Sequence, residues 1–298
     1  MMPATSRDPA LPRISIVTPC LNHAAFLEET IRSVLDQNYP NLEYVIIDGG
    51  STDGTVDIIR KYEKRLAFWV SEPDAGQYDA INKGFLHTTG DIMGWLNSDD
   101  KYLPWTFATL ADVTSQLPQI EWITSLFHCF WDPRGYFARC EAHAGFSRNL
   151  VLRGGVLPGS GFYAPAFIQQ ESTFWRRSLW DKTGATIDIS YSLAADFDLW
   201  MRLAQKAELF CLDVPLAGFR RHSAQKTANH MMEYLRQARE SFAARGGHPS
   251  GVLKNFWLKK WGKLLRFFNR RHAMACAHQG YSNHAVLNVE KGQWELVN

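Results

Sequence analysis

The chain has 298 residues, of which 46% are hydrophobic and 21% charged, and its formal net charge is +2. That length holds one large domain, or one domain with an appendage, and the composition excludes a disordered chain. Near-neutral charge gives no global signal for nucleic acid.

The five cysteines, Cys20, Cys129, Cys140, Cys211 and Cys276, are scattered and form no CxxC pair. The pattern argues against a disulfide framework or zinc site and for a reducing cytosol. The first residues lack an apolar h-region and no long apolar run follows, so neither a secretory signal nor a spanning helix is expected.

In chain order, residues 1–13 read as a loose tail rich in Pro and polar residues. Ile14–Thr18 is an apolar, β-rich run. Residues 25–37 place Leu27, Ile31, Val34 and Leu35 on one helical face. Tyr44–Asp48 reads as a strand, residues 55–64 as a helix, Ala67–Ser71 as a strand, residues 77–87 as a helix and Asp91–Asn97 as a strand. This alternation predicts an α/β fold with a mostly parallel central sheet flanked by helices. Residues 121–130 read as another strand and 132–170 as loops. Ser172 is expected to cap a helix through Trp180, ended by Gly184. Residues 195–206 read as a helix, Leu209–Phe219 as extended, and 224–245 as a helix stopped by Gly246-Gly247. The domain is expected to span 14–245, divided at residue 100 into a donor-binding and an acceptor half. A C-terminal extension, 246–298, follows.

Ligands of an open parallel sheet bind beyond the carboxyl ends of its strands, and the polar residues gather there. Strand one ends in Thr18-Pro19-Cys20-Leu21-Asn22, strand two in Asp48-Gly49-Gly50-Ser51-Thr52-Asp53, strand three in Glu72-Pro73-Asp74, strand four in Asn97-Ser98-Asp99-Asp100. No GxGxxG or GxxxxGK[ST] cradle for phosphate is present. Adjacent carboxylates at a strand end favour a hard divalent cation that can bridge diphosphate oxygens. Taken alone, Asp99-Asp100 fits a turn cap better than a metal site.

The stretches ISIVTPCLNHAAFLEETIRSVLDQNYPNLEYVIIDGGSTDGT and SEPDAGQYDAINKGFLHTTGDIMGWLNSDD resemble the opening of family 2 glycosyltransferases of the GT-A fold. QQESTFWRRSLWDKTG, AADFDLWMRLA and FRRHSAQK resemble its later segments in the same order. The resemblance covers roughly residues 14–226 and is nearest to the branch acting in bacterial surface-polysaccharide assembly, O-antigen or capsule.

It implies a nucleotide-diphosphate sugar donor, Mg or Mn, and inversion at the anomeric carbon. Thr18 and Pro19 then border the nucleobase, and Asp48 and Asp53 lie on the nucleoside side. Asp79, Asn82 and Lys83 line the donor pocket, Asp99 faces the ribose or sugar, and Asp100 binds the metal. His222, in Arg220-Arg221-His222, reaches the metal or diphosphate. Asp196 aligns with the general base, with Glu171 as another possible acid. Gly49 departs from the family pattern, in which a second acid contacts uracil, so the nucleobase stays open. The preceding acid of the base motif is replaced by Ala195. Absence of QxxRW and of spanning helices implies a nonprocessive enzyme.

From Ser241 to Val289 there is no acid. Within residues 252–271, Leu253, Trp257, Trp261, Leu264 and Phe268 form an apolar stripe opposite Lys259, Lys263, Arg266 and Arg270. A helix of this kind suits an anionic bilayer surface, and with it a lipid-linked glycan acceptor. Packing of the stripe on the domain is the alternative. The expected location is cytoplasmic, peripheral to the inner face of the cell membrane, with no nucleic-acid partner. Two other functions remain open: a sugar-nucleotide nucleotidyltransferase, which pyrophosphate release would reveal, and a noncatalytic scaffold, which donor hydrolysis would exclude.

Overall fold

The computed structural model describes residues 11–143, 145–157, 167–223, 225, 230–247 and 283–297. The stripe at 252–271 lies outside them. Among the described residues the central sheet has nine strands. β1 (Ile14–Cys20) pairs in parallel with β2 (Leu42–Asp48) on one side and β4 (Ile92–Trp95) on the other, and β3 (Phe68–Ser71) extends β2. Every residue of β1 is buried, as a parallel strand covered on both faces requires.

The connections are α1 (Ala24–Leu35), α2 (Thr55–Tyr62) and α3 (Gln77–Leu86). α1 buries Leu27, Ile31, Val34 and Leu35, the stripe read from the sequence. α1 and α2 cover one face of the sheet together with α4 (Thr106–Gln116). α3 covers the other, with α6 (Arg177–Lys182), α7 (Ala195–Ala204) and α8 (Met231–Ala244). α5 (Arg148–Leu152) packs on α7.

α3 lies close to the sheet because it has Gly84. A Cβ there would run into Val17 Cγ1 and stand 3.0 Å from Val17 Cγ2 and 3.3 Å from Ile47 Cγ1. Gly84→Ala is therefore expected to cost about 1–3 kcal/mol by overpacking, although alanine is the better helix former. A denaturant midpoint equal to or above wild type would contradict this.

The second half departs from expectation at three places. The predicted helix from Ser172 is a short 3-10 turn, Gln170–Ser172, followed by β9 (Phe174–Arg176), which runs antiparallel between β4 and β6 (Trp122–Ser125). Between those two strands its side chains alternate, Phe174 packing into one core and Trp175 into the other. Only the end of the segment, α6, is helical.

The predicted strand at 121–130 breaks at Leu126 into β6 of the large sheet and β7 (Phe127–Trp131) of a second sheet. Leu209–Phe219 likewise divides into β10 (Leu209–Leu212) and β11 (Ala217–Arg220). The second sheet has the order β5 (Lys101–Tyr102), β11, β7, β8 (Phe137–Ala142). β8 and α5 thus fall in the region expected to be loops.

Residues 283–297, assigned from sequence to the extension, belong to the domain's own sheet. β12 (Asn283–Asn288) pairs in parallel with β10, and β13 (Gln293–Val297) returns antiparallel on the outside. Ala285 and Trp294 enter the core shared with α4. No described helix is long and apolar enough to cross a membrane.

Candidate active site

Two loops at the carboxyl ends of β1 and β2 are braced against each other. Asn22, in the left-handed region at φ 53°, receives the Thr52 N–H on Oδ1 at 2.9 Å and donates its own N–H to Ser51 Oγ at 2.7 Å. Asp53 accepts from the Ala24 and Thr55 N–H groups, each at 3.0 Å, and from the Thr55 hydroxyl at 2.6 Å. Burial opposes ionisation there, but those donors hold the carboxyl below its usual range. Asp53 therefore fixes the start of α1.

Asp48 is fully buried. Its oxygens accept from the N–H groups of Gly50 and Ser51 and from the hydroxyls of Ser51 and Ser71. It shapes the turn after β2. Thr18 and Pro19 are interior positions of β1, and the Thr18 hydroxyl accepts from Tyr44. Beyond the strand, Leu21 is 49% exposed and Ser51 partly so.

Asn82 was expected in the donor pocket. Both ends of its amide hold Ile187 instead: Nδ2 donates to the Ile187 carbonyl at 2.8 Å and Oδ1 accepts its N–H at 2.7 Å. It ties α3 to the segment before α7. Asp79 accepts from the Ala75 N–H, and Lys83 bridges Asp79 and Glu72 at 3.5 and 3.2 Å on the outer rim.

Beside that rim stands Asp74, which sequence reading did not single out. One oxygen accepts the Gly76 N–H at 2.8 Å. The other would lie 2.7 Å from a Cβ on Gly49. The space vacated by the missing side chain at 49 is occupied by a carboxylate from the next loop.

The β4 tip carries the acids. Asp99 Oδ2 is 2.9 Å from His222 Nε2. His222 packs on the Phe26 ring at 4.6 Å. Asp100 lies one residue further in and is fully buried. It accepts the Arg220 N–H at 2.9 Å and the Asn97 amide at 3.2 Å. Of the two residues expected to bind the metal, His222 meets Asp99, and the Asp100 carboxylate anchors β11 to the tip. Burial raises the Asp100 pKa, and the negative charges of Asp99 and Glu171 add to it.

Arg220 is buried too, donating to the Asp99 carbonyl at 2.7 Å and to Glu29 at 3.0 Å. Arg221 is exposed, its guanidinium 4.4 Å from the Phe130 ring centre. Among the described residues no three His, Cys, Asp or Glu side chains cluster as a complete metal site. Asp99 and His222 nonetheless suit a divalent cation. They offer one oxygen and one nitrogen, and 2.9 Å is close to the separation of two neighbouring ligands held about 2.1 Å from one ion at right angles.

Asp196 sits in the first turn of α7. Its Oδ1 accepts the Phe197 N–H at 2.7 Å. Burial pushes its carboxyl up to about 7, against the pull of that backbone donor. Asp198, the other acid of the helix, is taken up by Arg202, Arg245 and Ser241, which leaves Asp196 as the acid of this helix that is open to chemistry.

Glu171 lies between the two acid groups. It is 3% exposed, and its Oε1 has no hydrogen-bond partner. Burial raises its pKa, with Asp99 and Asp196 adding to the effect. A polar chain missed in the sequence supports this floor: Gln77 donates to Asn97, and Asn97 and Gln170 join the tip to the Trp95 carbonyl. Amide side chains give no sequence signal of this kind until their partners are known.

The sequence profile described as Glycosyl transferase family 2 matches residues 15–165. An uncharacterized glycosyltransferase of Mycobacterium tuberculosis is 30% identical over 210 residues, 70% of this chain and 75% of that protein. TuaG of Bacillus subtilis, a glycosyltransferase provisionally assigned to teichuronic acid biosynthesis, is 40% identical over 94 residues, 30% of this chain and 37% of that one. The mannosyltransferase PcManGT of Pyrobaculum calidifontis, solved with GDP-Man and Mn2+, superposes with a TM-score of 0.52 at 20% identity, covering 90% of this chain and 86% of that one. This likeness establishes the GT-A type of fold.

Proposed function

The chain belongs to glycosyl transferase family 2, and from that premise we propose that it is a nonprocessive, inverting transferase that moves a sugar from a nucleotide-diphosphate donor to a hydroxyl of a lipid-linked glycan. The observation that carries this reading is the convergence of the Asp99–His222 pair at the β4 tip with the half-buried, high-pKa Asp196.

Asp99 and His222 would hold a Mn or Mg ion, which, when bound, would offset the charge of the leaving diphosphate. Arg221, exposed beside them, meets the same phosphates. Asp196 accepts the proton of the acceptor hydroxyl as its oxygen bonds to the anomeric carbon and the bond to the diphosphate breaks. Asp74, in place of a side chain at 49, accepts an N–H of the nucleobase. Similarity to TuaG supports a cell-surface polymer as the product class.

The test is a thermal-shift screen of UDP, GDP and dTDP with and without Mn. One diphosphate is expected to raise Tm by roughly 5–10 °C at a hundredfold excess over Kd, only with the metal, and Asp74→Asn should reduce the preference among bases. Shifts that are equal with and without the ion, or the same for all bases in wild type, would refute this scheme.

The lipid-linked acceptor rests on the sequence pattern at 252–271. Vesicle binding is expected to need anionic lipid, to weaken with salt and to fall in Trp257→Glu/Trp261→Glu, while transfer to a short soluble acceptor persists. No binding by wild type, or loss of soluble activity together with Tm, would dismiss the membrane role.

A further inference from the structure

The second sheet carries a feature that transfer does not use. Cys129 on β7 and Cys140 on β8 face each other in the antiparallel register. Their sulfurs are 3.2 Å apart, both as free thiols. Cys129 is 2% exposed, whereas Cys140 is open to solvent.

Directly opposed residues of an antiparallel pair have Cα atoms about 4.5–5.5 Å apart, inside the range of about 4.4–6.8 Å that a disulfide spans. The bond can thus close with small side-chain adjustment and no change of register. The three other cysteines lack this arrangement: Cys20 is buried against Asp48, Cys211 is buried against the Phe146 backbone, and Cys276 is outside the described residues.

We propose that Cys129 and Cys140 form a reversible oxidation site, in which a peroxide converts the facing thiols into a cross-strand disulfide. Cys140 is the sulfur a peroxide can reach. Its thiolate attacks the peroxide, the O–O bond breaks, and sulfenic acid forms as one oxygen leaves as water or alcohol. Cys129 then attacks the sulfenic sulfur; the S–S bond forms, the S–O bond breaks, and the Cys129 proton leaves with the hydroxyl as water. Two thiols are oxidised by two electrons and one peroxide is reduced.

Burial pushes the Cys129 thiol up to about 12, with Cys140 adding to it, so Cys129 is a poor first nucleophile. As resolving thiol it acts at contact distance, which offsets low thiolate content through effective concentration. The cross-link closes the hairpin whose turn is held by Lys101 on the Gly135 carbonyl at 2.7 Å and by Arg220 on the Pro133 carbonyl at 3.4 Å. Lys101 and Arg220 flank the Asp99–Asp100 tip, so the oxidised hairpin is a stiffer support for that tip.

The test uses the full chain, reduced, freed of reductant and exposed to hydrogen peroxide at a few equivalents. Thiols are then alkylated under denaturing conditions and mapped. The free-thiol count should fall from the five of the sequence by two, with a Cys129–Cys140 linked peptide that dithiothreitol removes. In Cys129→Ser, Cys140 should instead accumulate as sulfenic acid trapped by dimedone. The mapping of wild type needs no variant to fold. An unchanged count, a linkage through Cys276, or Cys140 driven to sulfinic acid without a cross-link would each overturn the proposal.

Discussion

Asp99→Asn is expected to lower transfer by about 10³-fold and to abolish the metal-dependent part of nucleotide binding, with Tm close to wild type. At the β4 tip, Asp99 is the acid that meets His222. A carboxylate that holds a divalent ion lets the ion offset the diphosphate charge, a stabilisation of several kcal/mol, and an amide of the same shape holds the ion far less tightly. Asp100→Asn should behave in the opposite way. Its carboxylate anchors the Arg220 N–H and the Asn97 amide inside the protein, so losing that acceptor geometry should cost about 1–3 kcal/mol of stability and leave metal-dependent binding in place. The two variants, followed by nucleotide titration with Mn and by denaturant melts, separate a ligand from an anchor. If Asp100→Asn loses the metal dependence and Asp99→Asn keeps it, the assignment of the ion to Asp99 and His222 is wrong.

Asp196→Asn should leave donor affinity within a few-fold and reduce kcat by ~10²–10⁴. The pH profile gives an independent reading. Burial lifts the Asp196 pKa from an ordinary 3.8 to about 7, which favours the protonated form, and a general base must have lost that proton. In wild type kcat should therefore rise with pH, tenfold per unit below about 7, and level off above it. At pH 6 it should be about a tenth of the plateau. In Asp196→Asn the residual rate should be flat over the same range. A profile that keeps its rising limb in the variant, or a Glu171→Gln enzyme that loses the limb while Asp196→Asn retains it, would move the base to Glu171.

The donor half was legible in the sequence because its signals are local. The period of Leu27, Ile31, Val34 and Leu35 marked α1, the apolar runs at 14–18 and 44–48 marked parallel strands, and strand-end acids marked the edge where a ligand binds. Each of these follows from neighbours a few residues apart. The ordered motifs over 14–226, densest at 14–100, also carry the family resemblance.

Only the tertiary structure decided which of those polar residues have partners within the chain. Asp48, Asp53, Asn82 and Asp100 have the residue types of ligand-binding groups, but each is held by donors or acceptors of the chain itself: Ser71, Ala24, Ile187 and Arg220, respectively. Those partners lie 23 to 120 positions away. A buried carboxylate or amide needs partners wherever it lies, so its chemical type alone cannot distinguish an anchor from a ligand. The same applies to β9, whose three residues are too few for a period to show, and which becomes a strand because β4 and β6 leave a gap of its width. It applies to the hairpin at 283–297, which is strand because β10 offers an unpaired edge. Local sequence determined which segments are periodic and which tips are polar. Long-range packing decided which side chains the chain itself engages, because a buried polar group must find its partners wherever the fold brings them.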